Sequence, residues 1–150
     1  MPWKALLASN RVEPHTTSRQ ELDGLRAAVD RNLHDAGLPG LSADNRFGLA
    51  YEAVLLLSKM AIACAGYRAK GHGAHQTTFV ALELAMGRTV AKDGAYFDRC
   101  RRKRHALSYD AAGVVADTEA TELLEKTGEF RQTVEAWIAR HHPKLGRLNP

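Results

Sequence analysis

Cysteine is scarce in this chain: Cys64 and Cys100 are the only two in 150 residues, too few for a disulfide framework and not spaced as a pair of metal ligands. A reduced, cytoplasmic setting is the expectation. Long apolar runs are also missing. The longest apolar stretch, 53–65, is interrupted by Ser58 and Lys59, whereas a membrane span needs about 20 apolar residues in a row. Residues 1–10 carry one lysine and only the short apolar run Ala5-Leu6-Leu7, unlike a secretory signal. Alternation of apolar and polar residues never lasts long enough to mark a strand of ordinary length, and no repeat or low-complexity tract stands out. What remains is 45% hydrophobic and 25% charged, a globular composition, and the length suits one domain with one core. The net charge of +4 permits an anionic partner without requiring one.

Helical periodicity fills most of the chain. Ser18-Arg19-Gln20-Glu21 has the form of a capping box, and Leu22, Leu25, Val29, Leu33 and Ala36 follow at steps of three and four. That helix ends near Gly37. Pro39 and Gly40 make a turn, Ser42 is an N-cap, and residues 43–65 are apolar on nearly every side, as suits the middle of a bundle. Residues 66–75 hold three glycines and no apolar period, which reads as a loop. A third long helix is expected from Thr77 or Thr78, with Phe79, Leu82 and Met86 on one face and Gly87 at its end. A fourth spans about 94–112. A last one begins near Asp117, with Glu119 and Glu122 at its favourable N-terminal end and Leu123, Thr127, Phe130, Val134 and Trp137 in its apolar row. The predicted architecture is all-α, an antiparallel up-and-down bundle of four to five helices over 18–142, preceded by an N-terminal helix and arm over 1–17 and followed by a loose tail over 143–150.

Charge is concentrated in the fourth helix, where Arg99-Cys100-Arg101-Arg102-Lys103-Arg104 puts five cations in six residues and His105 follows directly. At about 100° per residue, Phe97, Cys100, Arg104, Leu107 and Ala111 share one stripe, so a single arginine stands among small and apolar neighbours. Such an arginine is costly unless it is paired or sits at an interface. Beside the stripe, Arg101, His105 and Tyr109 form a polar seam, with Ser108 between the two. Guanidinium, imidazole and phenol together suit phosphodiester chemistry: the histidine moves a proton to or from a ribose hydroxyl, and the guanidinium clamps the phosphate. Gly71-His72-Gly73-Ala74-His75 lacks the partners of a zinc site and the pattern of a P-loop and reads as a connector, with a lesser role for His72 or His75 at a substrate. Asp44 and Glu52 read as a dipole-favoured residue and an arginine partner. The two cysteines read as inert thiols, and Trp3 and Trp137 as packing residues. A cationic helix face is also how a solvated surface looks.

The segment Arg104-His105-Ala106-Leu107-Ser108-Tyr109 resembles the signature of HEPN domains, an arginine, a polar residue, three further residues and a histidine or tyrosine. Segments beginning at Ser42, Gly66 and Tyr96 resemble small bacterial members, so the likeness runs over about 18–142. The resemblance implies a metal-independent endoribonuclease without a cofactor, often the toxin of a toxin–antitoxin pair, whose two copies form one cleft. It implies Arg104, His105 and Tyr109 as the catalytic set. Arg99, Arg101, Arg102, Lys103 and Ser108 would draw in RNA. Tyr109 stands where many active nucleases have histidine. In some toxin members a tyrosine there receives AMP from a nucleotidyltransferase antitoxin. The alternative is a non-catalytic HEPN helper that binds a nucleotide or a nucleotidyltransferase partner, and neither reading involves a membrane. Arg104 and Tyr109 lie roughly 140° apart around a helix, which favours a homodimer that brings one from each chain together.

Overall fold

The computed structural model describes residues 2–109, the last three without their side chains, and residues 114–148. In chain order these form α1 (Trp3–Ala8), β1 (Val12–Pro14), α2 (Arg19–Ala36), α3 (Ala43–Cys64), β2 (Tyr67–Ala69), α4 (Ala74–Met86), a 3-10 turn (Arg88–Val90), α5 (Ala91–Tyr109), α6 (Asp117–His141) and a second 3-10 turn (Pro143–Leu145). The chain is an all-α bundle with one small two-stranded ribbon. α3 is its axis and packs against α2, α4, α5 and α6. Its length and hydropathy are those of a membrane-spanning helix, but 72% of its apolar window is buried inside the protein. An apolar surface on every side is what a helix with neighbours all round requires.

Local chemistry sets the boundaries. Ser18 Oγ accepts the Glu21 N–H at 3.1 Å, and Ser42 Oγ accepts the Asn45 N–H at the same distance, each satisfying one orphan amide of a helix start. The capping box at Ser18 is only half formed, because the Glu21 carboxylate is engaged by Thr17 Oγ1 and His15 Nε2, both at 2.7 Å. At α6 the reverse half occurs: Glu119 Oε1 accepts the Ala116 N–H at 3.0 Å. Asp44, in the first turn of α3, accepts the Val115 N–H at 3.4 Å and so ties the approach to α6 onto the central helix. Phe97 of α5 meets Phe130 of α6 edge-on at 4.9 Å and Phe79 of α4 at 6.1 Å, joining three helices beside α3.

Three expectations change. The connector after α3 contains β2, which pairs antiparallel with β1 in the register Val12↔Ala69, Glu13↔Arg68 and Pro14↔Tyr67. α1 packs on this ribbon, with Trp3 stacked on Tyr67 at 4.2 Å, and Leu6, Val12, Ile62 and Ala81 make a second small core beneath it. α4 accordingly starts at Ala74, ahead of Thr77. The tail expected to be loose is held instead: Arg26 Nη2 donates to the Leu145 carbonyl at 2.8 Å and Arg19 Nε to the Gly146 carbonyl at 3.1 Å.

The third change is small: α5 begins at Ala91, slightly ahead of the expected start, and Gly94 lies in its first turn. A Cβ there would sit 3.0 Å from the Phe79 carbonyl oxygen, so the missing side chain lets α4 and α5 cross closely. Gly94→Ala is expected to lower stability by about 1–3 kcal/mol through the forced separation of the helices, despite alanine's better helix propensity. Thermal or denaturant melts check this, and a stabilised variant would contradict the close-crossing account.

Candidate active site

The basic helix delivers its cations to different places. Arg99 and Arg102 are exposed, the former with its guanidinium 5.7 Å from the Tyr96 ring centroid. Arg101 is half-buried, its Nε donating to Asp98 Oδ1 at 2.7 Å. Lys103 faces Glu119 at 3.4 Å, and His105 is exposed. The side chains of Ser108 and Tyr109 lie outside the described residues, as does Ala111.

Arg104 takes the position that its stripe implies. It is half-buried against α3, on the same side of α5 as the buried Phe97 and Cys100. A Cβ on Gly48 would stand 3.5 Å from its Nε. Gly48 thus gives the guanidinium a flat place to lie on the central helix, one turn from Glu52 and next to Tyr51. Helical spacing puts the arginine on the stripe, whereas no local pattern marks the glycine that receives it.

Around this arginine the fold assembles groups from three helices. Tyr51 of α3 is buried, and its hydroxyl lies 3.2 Å from Nδ1 of His75 in the first turn of α4. Burial pushes the Tyr51 phenol well above its ordinary range, against the opposing pull of Arg101 and Arg104, so it keeps its proton. His75 is held below the ordinary imidazole value, first by desolvation and then by Lys59, Arg101 and Arg104, with Glu52 opposing. His75 is therefore neutral at pH 7. In the tautomer with the proton on Nδ1, the Tyr51 oxygen accepts it and Nε2 keeps a lone pair, the form a general base needs. Arg101 and Arg104 supply positive charge to the same neighbourhood. Of the two histidines in the connector, His75 joins the arginines. The signal that pointed to it was only its place in a glycine-rich stretch before a helix.

The depressed value at His75 has a consequence for stability. Its proton affinity is lower in the folded chain than in the unfolded one, so as pH falls through about 6.5 the unfolded chain takes up the proton first. The stability contributed by the neutral ring is present above that pH and is lost below it. Replacing His75 with glutamine should flatten this part of the stability–pH profile, as read by melts between about pH 5 and 7.

Cys64 and Cys100 have thiols pushed by burial up to about 11, which keeps them protonated and poorly nucleophilic. Comparison of the chain with protein-family models, with curated proteins and with solved structures found no match.

Proposed function

We propose that this chain is a metal-independent endoribonuclease of the HEPN type, the toxin-like member of a toxin–antitoxin-like module, acting as a homodimer paired along α5. The observation that carries the reading is the half-buried Arg104 laid against Gly48 beside a neutral histidine that touches a buried tyrosine. In the proposed reaction Arg104 and Arg101 hold the non-bridging oxygens of the scissile phosphate. A histidine withdraws the proton of the adjacent 2′-hydroxyl. The 2′-oxygen then attacks phosphorus as the bond to the 5′-oxygen breaks, and the leaving oxygen takes a proton from water, giving a 2′,3′-cyclic phosphate and a free 5′-hydroxyl. His75 serves as the base within one chain, and the catalytic set is completed by His105 and Tyr109 of the partner copy. Charge stabilisation by pre-positioned guanidinium groups is the largest contribution such a site makes.

The test is incubation of single-stranded RNA with the purified protein in the presence of a chelator. Cleavage with cyclic-phosphate ends is expected. Salt-sensitive binding without cleavage would instead identify the non-catalytic helper, and sedimentation as a strict monomer at high concentration would remove the shared cleft. Exposed Arg99 and Arg102 act as attractors for the RNA strand. Replacing either with alanine should reduce the slope of log affinity against log salt by about 0.7 for single-stranded RNA, with little change in the rate at saturation. Fluorescence anisotropy titrations at several salt concentrations read this directly.

A further inference from the structure

A cavity of about 310 Å³ opens beside His75, between the ribbon, the start of α2, the last turns of α3 and the first turn of α4. Its floor is apolar, made by Leu25, Ile62, Ala63 and Ala69, and its rim is cationic. Lys59 is exposed at the mouth with no ion pair among the described residues. Arg68 and Lys70 share the single carboxylate of Glu13, which leaves the ribbon with surplus positive charge. The one acid on the rim, Glu21, is already engaged by His15 and Thr17. α4 begins here at Ala74, and Gly73 before it offers no side-chain cap, so its first amides add positive potential. An apolar floor under a cationic rim matches a flat, weakly polar ring joined to a phosphate, and the volume is that of a small-ligand site.

We propose that this cavity is a nucleotide subsite: it takes one unstacked base of single-stranded RNA, and Lys59 and Arg68 hold the phosphate of that nucleotide at the rim. The proposal rests on the ribonuclease reading, because His75 lines the cavity and also touches Tyr51, which places the subsite next to the phosphate held by Arg101 and Arg104. A base must leave its stack to enter, so the subsite selects single strands, loops and bulges over duplex.

Nucleoside 5′-monophosphates and inorganic phosphate serve as probes, titrated into the intact protein and followed by calorimetry and by the His15 and His75 ring signals in NMR. A monophosphate is expected to bind more tightly than phosphate alone and to compete with a single-stranded oligomer. Lys59→Ala, at an exposed position, is expected to weaken it about tenfold, as loss of a charge-assisted contact does. Ala69→Phe fills the cavity and should abolish monophosphate binding and raise KM for single-stranded RNA. Equal affinity for phosphate and monophosphate, or an Ala69→Phe variant that binds as the wild type does, overturns the proposal. The two readings fail separately. Monophosphate binding without cleavage keeps the subsite and sinks the ribonuclease, whereas cleavage with an unchanged KM in Ala69→Phe does the reverse.

Discussion

Arg104→Ala is expected to lower RNA cleavage by about 10²–10³-fold while leaving the melting temperature within a few degrees of wild type. The size follows from the environment of the side chain. Arg104 lies half-buried on the backbone of α3 at Gly48, where water screens it less than it screens Arg99 or Arg102 on the outer face. In the proposed reaction a cation held in that position meets developing negative charge without reorganising, and its removal would leave the oxyanion with Arg101 alone. Arg104→Lys should recover little, because an ammonium cannot reproduce the planar, two-pronged grip of a guanidinium. Gly48→Val provides a second route to the same result: a Cβ there would already be in contact with the guanidinium at 3.5 Å, and the added methyl groups are expected to crowd it while Arg104 itself remains. Cleavage unaffected by both Arg104→Ala and Gly48→Val would remove the active centre proposed for α5.

The largest expected loss of stability comes from Arg26→Ala, about 3–5 kcal/mol, a substantial part of the 5–15 kcal/mol that holds a typical domain. Arg26 is 5% exposed. Its Nε and Nη2 grip the two oxygens of Glu135 at 2.8 and 2.9 Å, Nη1 reaches Asp23 at 2.8 Å, and Nη2 also holds the Leu145 carbonyl. Alanine leaves the Glu135 carboxylate largely shielded from water and without its partner, and frees the 3-10 turn after α6. The cost lies in breaking one side of the pair. The double variant Arg26→Met, Glu135→Leu should therefore lose much less than the sum of its single changes. Denaturant titrations of the four proteins give the coupling, and simple additivity would show that the pair is not the cause.

Much of the helical framework was legible in the sequence because its signals are periodic and local. Ser18 and Ser42 cap where their side chains can reach an amide three residues on, and the all-round apolar character of 43–65 marks the one helix that has neighbours on every side. The ribbon was not legible. Its strands are three residues each, too short to show alternation, and they are joined by pairing across fifty residues of chain, which no local pattern reports. The role of Gly94 was not legible for a related reason: its missing side chain answers to the carbonyl of Phe79 on another helix. The same division runs through the site. The stripe placed Arg104 correctly against the bundle, since helical geometry alone decides that. His75 and Tyr51 come together only when α4 lies down on α3, and the sequence holds no trace of that meeting beyond the residue types themselves.

The stacking of Trp3 on Tyr67, with Trp137 far away along the chain on α6, gives the molecule two separate optical reporters. Trp3 senses only whether α1 stays seated on the ribbon, while Trp137 senses the helices. Variants that keep one indole at a time will therefore distinguish melting in a single step from early peeling of the amino-terminal layer, which takes Glu13 away from Arg68 at the edge of the cavity.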